Sequence, residues 1–333
     1  MVIISYKMTS YIFKLSIIIP MYNVEKYIGD CLDSILNSDF PKDKYEVIIV
    51  NDGSKDNSPK IAEKYCENHK NFRYFTQDNQ GQSVARNFGM SVCKGEYIWF
   101  IDSDDMASCN IGMLYKKLLN NNGVDVLEFR ANFTTENKDV IKTVWNRNID
   151  FDRFYSGRDL ICQGYLPTSI WNLFLRKQFL LDNNLTFLPG ITHQDTELVY
   201  RVIALASKVL FVDNIGYLYV KHENTTSTSM HPDRIIKRCL DDIVIVKSFE
   251  DFSKIFIHGD VELSQAIYKH SQKILFGIIY NLYRNRTQWK PFGINKTVID
   301  KLKENDLYPL RGPFNSWKKR LLSLLLNIEW LIR

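Results

Sequence analysis

Residues 95–105 read GEYIWFIDSDD, and this stretch decides the fold. Tyr97–Ile101 is an unbroken apolar run, as expected of a buried parallel strand. It runs straight into Asp102-Ser103-Asp104-Asp105, three carboxylates within four positions. Toward the N-terminus, Leu15–Ile19 is a similar run, interrupted only by Ser16 and ended by Pro20. Glu46–Val50 is another, closed by Asn51-Asp52-Gly53-Ser54, and Phe72–Phe75 is a short one. Helical patterns separate them. Val24, Tyr27, Ile28, Cys31, Leu32, Ile35 and Leu36 recur at three- and four-residue steps, with Asn23 placed to cap the helix. Ser58 is placed to cap a helix that starts at Pro59, and Gln82–Ser91 reads as a third helix. Alternating strands and helices predict an α/β fold with a mostly parallel, doubly wound sheet. In such sheets ligands bind beyond the carboxyl ends of the strands, where Asp52 and Asp102–Asp105 both fall.

Beyond residue 120 the pattern is weaker. Val124–Phe129 reads as a strand, residues 137–149 as a polar, exposed excursion, and Ile170–Leu175 then 176–183 as strand and helix. Thr192–Ala206 is a helix with Leu198, Val199, Val202, Ile203 and Ala206 on one face. Val209–Val212 and Gly216–Val220 read as two strands, and from Asp233 onward the pattern is helical. A boundary near Met230 divides the chain into residues 14–230 and a helical C-terminal region, 231–333.

Composition excludes several classes. A hydrophobic fraction of 45% and a mean hydropathy of -0.23 belong to a soluble globular protein. The net charge of +5 is too mild for a nucleic-acid binder. The six cysteines form no C-x-x-C pair, so buried free thiols in a reducing cytoplasm are expected. The first residues, MVIISYKMTSYIFK, do not read as a signal peptide, and no stretch reaches the ~20 apolar residues of a spanning helix.

The acidic cluster carries the chemistry. Adjacent carboxylates repel unless a cation or hydrogen-bond donors offset them. Asp102 and Asp104, two apart on a turn, can face one hard cation, and Mg²⁺ commonly combines one or two carboxylates with substrate phosphates. The alternative is a solvated turn with Asp105 capping the next helix. Asp52 can accept from a base N–H or a ribose hydroxyl, although Asn-Asp-Gly-Ser is also plain turn chemistry. Tyr22 can stack on a nucleobase or pack. Arg86 can pair with phosphates or face solvent.

Taken together, SIIIPMYNVEKYI, EVIIVNDGSKDNS, DNQGQSVARNFGM and GEYIWFIDSDD resemble the successive motifs of the inverting family 2 glycosyltransferases of bacterial polysaccharide synthesis, which have the Rossmann-like GT-A fold. The resemblance is firm over 14–106 and looser to 229. It implies a nucleotide-binding half at 14–122 and an acceptor half at 123–230. It also implies that Pro20 and Tyr22 meet the base, that Asp52 bonds the uracil of a UDP-sugar, and that Arg86 lies near the nucleotide. Asp102-Ser103-Asp104 matches the family's D-x-D, with Asp104 as direct ligand of Mn²⁺ or Mg²⁺ and Asp102 reaching ribose or metal. His193-Gln194-Asp195 resembles the family's Glu-Asp pair, Gln194 standing where Glu is usual, so that Asp195 becomes the base that deprotonates the acceptor hydroxyl. Thr192-x-x-Asp195 reads equally as a capping box. Trp171 and His193 are implied on the acceptor side, and 224–229 resembles a loop that closes over the donor. The absence of Gln-x-x-Arg-Trp favours single-sugar addition.

The expected partners are a nucleotide-sugar donor and a glycan or lipid-linked acceptor. The expected place is the cytoplasm, at the inner face of the membrane if Trp317-Lys318-Lys319-Arg320 and the leucines after it lie on anionic lipid. Two other readings compete. Asp-x-Asp after a strand also suits a haloacid-dehalogenase-type phosphatase, but Met106 stands where that family expects Thr or Val. The non-enzyme alternative is a nucleotide-sugar-binding module. A dinucleotide dehydrogenase lacks its Gly-x-Gly-x-x-Gly here.

Overall fold

The computed structural model describes residues 13–144, 149–167, 169–222, 230–313 and 316–332. The first half alternates as its pattern dictates: β1 (Phe13–Met21), α1 (Ile28–Leu36), β2 (Tyr45–Asn51), α2 (Ser58–Asn68), β3 (Phe72–Thr76), α3 (Gln82–Val92) and β4 (Gly95–Phe100). These four strands are parallel in the order β3-β2-β1-β4, with Ile17 opposite Val47 on one side and Trp99 on the other. The central place of β1 explains its apolar run, since Ile17, Ile18 and Ile19 are all fully buried. α3 lies so close to it that a Cβ at Gly89 would sit 2.5 Å from Ile18 Cγ2.

After β4 come β5 (Met106–Ala107), α4 (Gly112–Asn120), β6 (Val126–Thr134), β7 (Val140–Val144), β8 (Phe154–Tyr155), α5 (Gly157–Cys162), β9 (Leu173–Arg176), α6 (Lys177–Asp182), α7 (Gln194–Leu205) and β10 (Val209–Val220). The sheet continues β4-β9-β6-β10-β5, with β7 on β6 and β8 on β10. β6 and β10 are parallel to each other, whereas β5, β7, β8 and β9 pair antiparallel.

Four local expectations need correction. Asn23 does not cap α1. It sits in the left-handed region (φ 51°), its side chain accepts from Lys55 N–H at 2.7 Å, and a turn at 24–27 precedes the helix. Ser58 does not cap α2 either, because its hydroxyl accepts from Val24 N–H and donates to Asp56, tying the entrance of α1 to that of α2. The two strands expected within 209–220 are one, carried past polar Asp213-Asn214 by register shifts between Val212 and Tyr217. The excursion at 137–149 contains β7, whose residues Val140–Lys142 are exposed on the sheet's rim.

The chain forms two compact units. The first takes the residues up to Gly157, Thr168–Pro189 and Arg201–His222, and the second takes Arg158–Pro167, Gly190–Tyr200 and Glu223–Arg333. The second is helical, with α8 (Pro232–Lys254), α9 (Val261–Arg284), α10 (Arg286–Trp289), α11 (Ile294–Glu304), α12 (Trp317–Leu326) and α13 (Glu329–Ile332). Val246, Ile279, Leu282, Ile299, Leu302 and Leu326 are fully buried at its core. Asp260 caps α9 by accepting from Leu263 N–H and holds Arg158 through two hydrogen bonds.

Candidate active site

In the first unit the carboxyl ends of β1, β2 and β4 are neighbours by register, so the turns that follow them share one edge. Asp102 leaves β4 half-buried. Its Oδ1 accepts from Arg86 Nη2 at 2.6 Å and Gln82 Nε2 at 3.0 Å. Arg86 is only 1% exposed, with its guanidinium 5.1 Å from the Phe187 ring centroid. It therefore does not face solvent. It neutralises one acid of the turn from beneath, and a buried ion pair of this kind holds geometry because losing either partner strands a charge.

Asp105 does not cap the next helix. It is buried, accepting from Tyr217 O–H at 2.6 Å and Val220 N–H at 2.7 Å, which fixes β10 against the acidic turn. Burial first, then Asp102 and Asp104, push its carboxyl well above the usual range. The same field reaches Cys31, a buried thiol raised by burial and by Asp105, Asp104 and Asp102. Ser103 is buried between the two acids.

Asp104 differs from its neighbours. Among the described residues, no side chain and no backbone N–H of another residue donates to its carboxylate. Burial and Asp102 raise its pKa, outweighing the attraction of His222. It borders a pocket of about 420 Å³ with Lys26, Asp30, Glu136 and His222. His222 Nε2 lies 2.9 Å from the Asp104 carbonyl oxygen, its Nδ1 lies 3.0 Å from Glu136 Oε1, and its ring packs on Tyr27 at 4.2 Å. Burial works against the charged imidazole, but the bonds to Glu136 and the Asp104 carbonyl raise its pKa on balance. Nothing in the sequence singles out Glu136, which lies in a polar run with no motif around it. Among the described residues no group of three His, Cys, Asp or Glu side chains is gathered as a metal cage.

The turn after β2 is organised differently. Gly53 takes φ 75°, Ser54 N–H donates to Asn51 Oδ1, and Asp52 is 3% exposed. The Asp52 carboxylate already accepts from Gln77 Nε2, Gln80 N–H and Gly81 N–H, all within 2.9 Å. Pro20 is buried at the end of β1, and Tyr22 beyond it is 47% exposed.

Trp171, also in the first unit, is buried with one ring face stacked on Tyr217 at 4.6 Å, and its carbonyl accepts from Trp99 Nε1. It is packed as core. The remaining residues belong to the second unit. Thr192 N–H and hydroxyl both donate to Asp241, so the return arm of a capping box comes from Asp241. Asp195 stands half-buried in the first turn of α7. His193 Nδ1 lies 2.8 Å from Asp242, a bond that raises its pKa despite burial. The expected donor loop at 224–229, like the N-terminal stretch 1–12, lies outside the described residues.

The model of Glycosyl transferase family 2 matches residues 16–183, just over half of the chain and the part that carries the acidic turn. The chain belongs to that family. It is 29% identical over 223 residues to the uncharacterized glycosyltransferase YibD of Escherichia coli (strain K12), spanning 66% of this chain but only 64% of YibD. The S. aureus TarS fragment 1-349 in complex with UDP superposes with a TM-score of 0.60 at 20% identity, covering 96% of this chain and 88% of that one. The mannosyltransferase PcManGT from Pyrobaculum calidifontis, in complex with GDP-Man and Mn²⁺, gives 0.54 at 15% identity over 97% and 86%. The fold is thus the GT-A type that the motifs implied, with added C-terminal helices, and the phosphatase reading falls away. No described helix of this family 2 chain is long and apolar enough to cross a membrane.

Proposed function

We propose that the chain transfers a single sugar, with inversion, from a nucleoside-diphosphate sugar to a glycan or lipid-linked acceptor, and that it requires Mg²⁺ or Mn²⁺. One observation carries the reading: Asp104 is a half-buried carboxylate with no donor from another described residue, beside a second acid, at the edge where this fold binds ligands. A hard oxygen donor in that state fits a divalent cation. When bound by Asp104 and Asp102, such an ion would offset the charge growing on the departing diphosphate.

The residues of the chain divide the remaining work. Arg86 holds Asp102 in place, Asp52 braces the loop at 77–81 and offers its remaining lone pairs to the base, and Pro20 and exposed Tyr22 flank the same edge. Asp195 takes the proton of the attacking hydroxyl. Its place in the first turn of α7, where the motif likeness puts a carboxylate, supports that role. UDP is the first donor to test, since a neighbour in fold holds UDP, and GDP-sugars the second, since another holds GDP-Man with Mn²⁺. Residues 14–230 are proposed as the catalytic domain. The experiment is a donor screen read by released nucleoside diphosphate, with Mg²⁺, Mn²⁺ or EDTA. Release should require the cation, and undiminished transfer in EDTA would sink the proposal.

The acceptor side includes a membrane surface. α12 shows Trp317 (70% exposed), Leu321, Leu324 and Leu325 on one outward stripe, while Leu326 turns into the core. Lys318, Lys319 and Arg320 flank that stripe, the arrangement of a helix lying on anionic lipid. Flotation with vesicles containing phosphatidylglycerol should fall strongly in Trp317→Ser/Leu321→Ser, and unchanged flotation would end this part of the reading.

A further inference from the structure

The second unit contains a pocket of about 530 Å³, within the size range of small-molecule sites, and it shares no residue with the pocket at the acidic turn. One wall is a face of α9 on which Gln265, Lys269, Lys273 and Phe276 recur at helical spacing. Tyr200 and Lys319 of α12 close other sides. Three lysines therefore border it: Lys269, Lys273 and Lys319. Among the described residues none of the three has an acidic partner, although Lys319 lies 5.4 Å over the Phe276 ring. The one lining acid, Glu262, is engaged by Arg158 Nη2 at 2.7 Å. Between the lysines the lining is aromatic. Tyr200 and His270 are stacked at 4.3 Å with planes 5° apart. Burial and Lys273 lower the His270 pKa to about 4, so the ring is neutral at pH 7 and the pocket's positive charge comes from the lysines.

Three uncompensated ammonium groups around one concavity repel one another, and an anion relieves that repulsion. A phosphate offers up to two negative charges and several acceptor oxygens, which ammonium groups meet as point charges. The flat rings beside them offer apolar surface to the carbon skeleton that bears the phosphate. We propose that this pocket binds a phosphate ester of a small polyol or sugar, carried either by a membrane lipid headgroup or by a free metabolite. The proposal goes beyond the transfer reaction and does not depend on it.

The test is calorimetry on the full chain in EDTA with glycerol 3-phosphate, and glycerol as the uncharged control. It runs in parallel with binding to vesicles of phosphatidylglycerol and of phosphatidylcholine. The lysines are on the surface, so Lys269→Gln/Lys273→Gln should fold, with its melting curve as the check and Lys269→Arg/Lys273→Arg as the charge-preserving rescue. The double glutamine variant should weaken binding of at least one phosphate probe tenfold or more, and the arginine variant should restore it. Binding of glycerol 3-phosphate with that pattern assigns a free ester, and the pattern seen on phosphatidylglycerol vesicles alone assigns a lipid headgroup. Asp104→Asn should leave either binding unchanged. If neither probe depends on the two lysines, or if Asp104→Asn removes binding, the site is not there.

Discussion

Asp52 and Asp104 occupy equivalent addresses, each just past the carboxyl end of a buried parallel strand, yet their surroundings are opposite. Asp52 is surrounded by donors, a glutamine amide and two backbone N–H groups that fix the approach to α3. Asp104 has none from another described residue, and its burial beside Asp102 makes its charge unfavourable. A carboxylate that satisfies its neighbours contributes to stability first and binding second. One that is left unsatisfied in a half-buried site costs stability and is retained for a ligand.

That contrast predicts a crossover between two variants. Asp104→Asn should lower kcat/KM for sugar transfer by ~10²-fold or more, because the proposed cation would lose its direct ligand. At pH 7 without metal the same change should leave stability equal or higher, since it removes a disfavoured charge. Asp52→Ala should do the reverse in rank, losing about 1–3 kcal/mol of stability from its orphaned donors along with part of the donor affinity. Urea unfolding of both variants in EDTA, beside steady-state kinetics, makes the comparison. A destabilised Asp104→Asn would break it.

Asp195 gives the next largest effect, and it sharpens the comparison by separating binding from turnover. Asp195→Asn should reduce kcat by ~10²-fold while nucleotide affinity, read by calorimetry with UDP and Mn²⁺, stays within twofold. Parallel losses in both quantities would mean that Asp195 shapes the donor site and does not serve as the base.

Buried parallel strands leave the plainest trace in an amino-acid sequence, and much of the edge that carries the candidate site is legible for that reason. β1, β2 and β4 are apolar on both faces, so pattern alone locates their ends, and with them Asp52 and Asp102–Asp105. Legibility stops where structure depends on pairing or on distant side chains. β10 reads as two strands because Asp213-Asn214 interrupts the pattern, while pairing with β6 carries the strand across. For Arg86 the pattern leaves phosphate pairing and solvent exposure both open, because only folding brings Phe187, a hundred residues away, against a guanidinium that is bonded to Asp102. For Asp105 the pattern offers a helix cap only as the alternative to a metal-holding turn, and its observed partners, Tyr217 and Val220, arrive from β10. The lysine pocket leaves no signal. It is assembled from segments around Tyr165, Tyr200, α9 and Lys319 that share no motif.

The smallest expected effect carries the same contrast to a base. His270 is an imidazole that burial keeps neutral, its pKa lowered from the ordinary 6.5 to about 4. As pH falls below about 6.5, the unfolded chain takes up a proton that the folded chain refuses. Stability should therefore decline between about pH 6.5 and about pH 4, by roughly 1–3 kcal/mol in all, and level off below that window as far as this group is concerned. His193 acts in the opposite sense: Asp242 raises its pKa, so its contribution is present below about 6.5 and is lost as pH rises. The comparison must accordingly be made between the wild-type chain and His270→Phe, which keeps a ring against Tyr200 and cannot titrate. Urea midpoints at closely spaced pH values should fall less in the variant than in the wild type as pH drops through that window. Parallel curves across that window would show that the imidazole is protonated in the folded chain, and that burial does not govern charge in this unit as it does at Asp104.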